Sequence, residues 1–146
     1  MKNILAQSEW WFLERLDYAG ARVVVELVQG EVSSVSENVS IDGAGTVPCA
    51  RPIEVTGNSR RVRVKFSNVL AYQVTDESYG AAETGENEEV DGRILNRHRG
   101  SAYLQYVLQS TLVKHLVDNP VQHYSLNLAD DIIDVITTTG PTVELI

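Results

Sequence analysis

The chain has 146 residues, a formal net charge of −8, 43% hydrophobic residues and 22% charged residues. That size fits one globular domain over 1–146, able to close a core without disulfide or metal. The negative balance argues against nucleic-acid binding, which needs Lys and Arg against phosphate, and against an anionic membrane surface; no run approaches the roughly 18 apolar residues of a membrane span.

Cys49 is the single cysteine, so no intrachain disulfide can form, which fits a reducing compartment. Beside Pro48 it reads as a small residue near a turn. Met1–Gln7 lacks the apolar run of a secretory signal, so the cytoplasm is the expected location.

Trp10–Tyr18 admits two readings. Ser8 can cap a helix with Trp10, Leu13 and Leu16 on one face, or Trp10–Asp17 is a strand turned at Gly20 into Arg22–Val28. The hairpin is favoured, because aromatics and a Val-rich run suit strands. In Arg22–Val28, Val23, Val25 and Leu27 point one way and Arg22 and Glu26 the other. Glu31–Ile41 is weaker and is expected to hold one or two edge strands. Asp42–Gly45 reads as a turn, and Thr46–Pro52 as extended or loop-like. Arg61–Thr75 gives the clearest alternation. Val62, Val64 and Phe66 face a core, and Leu70, Tyr72 and Val74 continue that parity in one long strand or two joined at Ser67-Asn68.

Residues 76–91 hold seven acids and no Lys or Arg, so the acidity is one local device on a nearly neutral body. An acidic surface loop over about 76–92 is expected, followed by a basic cluster of Arg93, Arg97, His98 and Arg99. The two arginines flanking His98 would disfavour its charged form if close, and the three arginines can pair with the loop. Ser101–Asp118 is the one main helix, capped by Ser101, with Leu104, Val107, Leu108, Thr111 and Leu112 on a face and Asn119-Pro120 stopping it. A meander follows: Tyr124, Leu126 and Leu128 alternate with His123, Ser125 and Asn127. Then come a turn at Ala129–Asp131, an apolar strand over Ile132–Thr137, and Thr142–Ile146 after Gly140-Pro141.

No GxSxG, P-loop, HExxH, CxxC or Rossmann glycine pattern is present, so no catalytic residue, cofactor or metal is expected. Asp130, Asp131 and Asp134 form a carboxylate group without EF-hand spacing, and the first two are ordinary turn residues. Asp134 interrupts an apolar strand and must face water or a buried partner. In Trp10-Trp11 the rings point to opposite faces if the segment is a strand, and an exposed one would be a contact residue. Trp11 is taken as that residue, with Glu83, Glu86, Glu88, Glu89 and Asp91 as contact charges for a basic protein partner. The alternative site is a pocket between sheet and helix using His123, Tyr124 and Asp134.

The succession Phe66-Ser67-Asn68-Val69-Leu70-Ala71-Tyr72-Gln73-Val74, Glu77-Ser78, Ser101-Ala102-Tyr103-Leu104, His123-Tyr124-Ser125-Leu126, Ile132-Ile133-Asp134-Val135-Ile136 and Pro141 resembles small uncharacterised bacterial proteins. Some of those look like immunity proteins encoded beside polymorphic toxins. The likeness covers about residues 62–146 and carries no active site. It implies a non-enzymatic, protein-binding inhibitor.

The expected fold is β-rich α+β: a mostly antiparallel sheet or sandwich of about seven to nine strands with one main helix over 101–118. The expected function is binding another protein with a basic surface, as an immunity-type inhibitor. The alternatives are a small-ligand binder or enzyme using the pocket, and a structural subunit that pairs with a second copy.

Overall fold

The structure is a computed structural model describing residues 3–43, 45–83 and 85–146. The centre of the expected Asp42–Gly45 turn, Thr84 in the acidic run and the first two residues of Met1–Gln7 lie outside that description.

A 3-10 turn over Leu5–Gln7 precedes strands β1 (Trp11–Ala19), β2 (Arg22–Gln29), β3 (Glu31–Val32), β4 (Glu37–Ile41), β5 (Gly45–Ala50), β6 (Ile53–Glu54), β7 (Arg61–Phe66) and β8 (Val69–Asp76). A second 3-10 turn, Glu77–Tyr79, leads to β9 (Glu86–Asp91) and β10 (Leu95–Arg99). Helices α1 (Ala102–Ser110) and α2 (Val113–Leu116) follow, then β11 (Gln122–Asn127), β12 (Asp131–Thr137) and β13 (Thr142–Leu145). The fold is β-rich α+β. One sheet has the order β1-β2-β7-β13 and another β8-β12-β11-β10-β9, with antiparallel neighbours throughout, and the pairs β3-β6 and β4-β5 stand apart.

Trp10–Tyr18 belongs to a hairpin. Gly20 and Ala21 both have φ of +58°, as a two-residue primed turn between right-twisted strands requires. Alternation does the rest. Val23, Val25, Leu27, Val62, Val64 and Phe66 are buried from the four-stranded sheet, and Leu95, Tyr124, Leu126, Ile133 and Val135 from the five-stranded one, in a single core.

The long alternation breaks where the chain changes sheets. Asn68 sits at φ +53°, a conformation Asn tolerates better than most side chains, and Thr137 Oγ1 donates to the Ser67 and Asn68 carbonyls at 2.5 and 3.2 Å. Tyr72 and Val74 oppose Val135 and Ile133, so they keep the core-side parity. They are nonetheless exposed, on β8 at the edge of its sheet. Tyr72 stacks on Tyr18 of the other edge strand, with centroids 5.2 Å apart.

The expected helix over 101–118 is shorter and broken. The Val107 carbonyl accepts both the Thr111 N–H at 3.2 Å and Thr111 Oγ1 at 2.6 Å, and Oγ1 accepts the Val113 N–H at 3.2 Å across the break. Thr111 itself is extended (φ −130°, ψ 175°). Leu112 and Leu116 are exposed, and Val107 is the one buried residue of α1.

The acidic run is not one loop. Its second half, Glu86–Asp91, is the edge strand β9, where charge discourages pairing with another chain. No helix among the described residues is long and apolar enough to cross a membrane.

Candidate functional site

The face of the five-stranded sheet turned away from the core carries polar side chains. Gln73, Asp134, Ser125 and Asn96 lie directly opposite one another on β8, β12, β11 and β10, and His98 opposes His123 on the same face. A cavity of about 470 Å³ stands on this row. Its floor and walls include Gln73, Ser125, His98 and Asp134, and the segment from Glu77 to Glu83 borders it. At Gly80 an added Cβ would meet Ile132 Cδ1 at 2.4 Å, so glycine lets this segment lie against the sheet.

Beneath the row is a buried network. Asp134 Oδ1 and His123 Nε2 are 2.7 Å apart, and His123 Nδ1 and Ser101 Oγ are 2.5 Å apart. Ser101 Oγ also accepts the Leu104 N–H at 3.1 Å, capping α1. One assignment satisfies every atom: Nε2–H donates to Asp134, and the Ser101 hydroxyl donates to Nδ1. The network therefore fastens the start of α1 to β11 and β12. Ser101 and His123 have no exposed surface, and the serine oxygen accepts the cap bond of α1.

The rings around it are also ordered. His98 stacks on His123 with centroids 4.5 Å apart, and its Nε2 is 2.7 Å from Ser125 Oγ. Burial holds the His98 imidazole below its ordinary range and His123 acts in the same sense, against the pull of Asp134 and Glu83. The flanking arginines take no part, because Arg97 and Arg99 point to the other face and meet Glu88 at 2.8 and 3.4 Å. Tyr103 meets His123 edge-on at 5.5 Å, and burial, with Asp134 and Tyr106 adding, pushes its phenol up to about 12.

Of the pocket expected from the sequence, His123 and Asp134 come together and Tyr124 does not. Neighbours along a strand point to opposite faces, so Tyr124 enters the core against Phe66. His98, Ser125, Gln73 and Ser101 are the members that sequence reasoning missed. The alternation of His123 and Ser125 with Tyr124 and Leu126 was a signal for one of them.

The expected contact set is dispersed. Trp11 is fully buried with Nε1–H donated to the Leu5 carbonyl at 2.9 Å, and the exposed neighbour is Trp10. Asp91 is buried and accepts the Ala6 N–H at 3.0 Å, while its other oxygen has no partner among the described residues. Glu83 accepts the Ala102 and Tyr103 N–H groups at 2.8 and 3.3 Å, a carboxylate at the positive end of α1. Glu88 is held by its arginines, which leaves Glu86 and Glu89 exposed on β9. Asp134 is bound to His123 and Gln73, and no group of three or more potential ligands placed to hold a metal occurs among the described residues.

No family model matches the chain, and no match was found among curated proteins or solved structures.

Proposed function

We propose that this is a non-enzymatic recognition domain that binds a basic protein partner, in the manner of an immunity-type inhibitor, through the polar cavity on the outer face of the five-stranded sheet. The reading takes the two larger sheets as layers of a sandwich and the acidic strand β9 as a rim. The observation that carries it is the make-up of the cavity. Glu77, Glu83 and Asp134 line it, no Lys or Arg among the described residues does, and its one described imidazole resists charging. Such a lining favours a cation and repels phosphate or carboxylate. Tyr79 on the border is 83% exposed, a large amphipathic side chain of the kind that anchors protein interfaces.

The test is affinity capture from lysate of the source cell. The baits are the unmodified protein and variants Thr75→Lys and Asn87→Lys, which place an ammonium at the cavity wall without touching the buried network. A basic protein retained by the first bait and lost from both variants is the expected result. Identical proteins on all three baits would remove the cavity from recognition.

A further inference from the structure

The identity of the group that enters this cavity follows from how its floor is wired, given the reading above. Asp134 is the most deeply placed carboxylate. Its Oδ1 is tied to the fully buried His123 at 2.7 Å, and its Oδ2 accepts one bond from Gln73 Nε2 at 3.2 Å. A guanidinium is recognised best by a carboxylate offering both oxygens to its planar fork. Here one oxygen is committed, so the fork has no matching pair. An ammonium is a compact charge with three rotatable donors, and it can use Oδ2 alone together with a nearby hydroxyl. That hydroxyl is Ser125, directly opposite Asp134 in the sheet and bonded to His98 Nε2 at 2.7 Å. With His98 neutral, either tautomer leaves the serine oxygen at least one lone pair for the cavity.

We propose that the cavity takes one lysine side chain of the partner, its ammonium seated between Asp134 Oδ2 and Ser125 Oγ. The groups facing His98 are His123 on β11, Asp134 on β12 and Glu83 in the bordering segment. Its depressed basicity keeps it uncharged near neutral pH. Acidification places a second cation in the cavity, so the lysine is expelled as pH falls below the ordinary histidine range.

The experiment is a titration of the 15N-labelled protein with Nα-acetyl-lysine methylamide and its arginine and norleucine counterparts, following the amide signals of Ser125, Asp134 and His98. The lysine compound is expected to saturate about tenfold more tightly than the arginine one, a difference of about 1.4 kcal/mol, with no saturation by norleucine. Ser125→Ala, which leaves the Ser101–His123–Asp134 network in place, should weaken it severalfold. Binding should weaken as pH falls below the ordinary histidine range, and His98→Gln should remove that dependence. Arginine binding as tightly as lysine, saturation by norleucine, or no shift with lysine overturns the proposal. If the lysine compound fails while Thr75→Lys still loses the partner, the lysine assignment falls and the cavity remains the recognition site. If the partner survives Thr75→Lys, the recognition reading itself falls.

Discussion

Ser101 has two jobs that meet in one oxygen. It caps α1 through the Leu104 N–H and holds His123 Nδ1, itself locked to Asp134. Removing the hydroxyl strips the cap, worth about 1 kcal/mol, and leaves a buried ring nitrogen without a partner, worth about 1–3 kcal/mol more. Ser101→Ala should therefore cost about 2 kcal/mol or more, a drop in Tm of several degrees for a chain of this size. Ser8→Ala is the control. That hydroxyl accepts the Trp10 N–H in an exposed turn, so its loss should cost well under 1 kcal/mol. Equal thermal shifts for the two variants would show that the Ser101–His123–Asp134 chain contributes nothing beyond an ordinary turn bond.

At the level of elements, the acidic run illustrates how one composition serves several local needs. Glu83 neutralises the N-terminal N–H groups of α1 from nineteen residues away in the chain, a role a sequence reader would give only to residues adjoining the helix. Glu83→Gln keeps an acceptor and loses the charge, and should destabilise α1 by about 0.5–1 kcal/mol with less loss at high salt. Amide exchange at Ala102 and Tyr103 should accelerate while β2 and β7 keep their protection, and unchanged exchange there would contradict the contact. Strands β2, β7 and β11 were legible because alternation is a local property of the chain. The helix break was not, because Thr111 fits the apolar face by spacing yet takes an extended backbone, with its Oγ1 accepting the Val113 N–H. The same limit hid the site. His98, Ser125 and Gln73 lie on three strands whose order in the sheet follows from long-range pairing that no local pattern carries.

At the scale of the whole molecule, charge is divided unequally between the two sheets. On the four-stranded sheet, Glu14 pairs with Arg61, Glu26 with Arg63, and Glu144 with Arg63 and Lys65, at 3.1–3.5 Å, so basic residues on that face are answered by acids. Lys65 and Arg63 accordingly hold the Glu144 carboxyl below its usual range. These exposed pairs are each worth little, and they leave that face without a field to steer a partner. The net charge of −8 is instead expressed around the cavity and along β9, where Glu86 and Glu89 are exposed. Exposed charge at a rim governs the rate of encounter, whereas contacts made inside a desolvated site govern escape. Glu86→Gln with Glu89→Gln should therefore slow association with the captured partner by about two- to fivefold at low salt, converge with the unmodified protein at high salt, and leave dissociation unchanged. Ser125→Ala should do the reverse, speeding dissociation with little change in association. Stopped-flow or surface-binding kinetics separate the two. Faster dissociation from the doubly neutralised rim would mean that β9 touches the partner directly, and that the cavity and the acidic strand act as one surface.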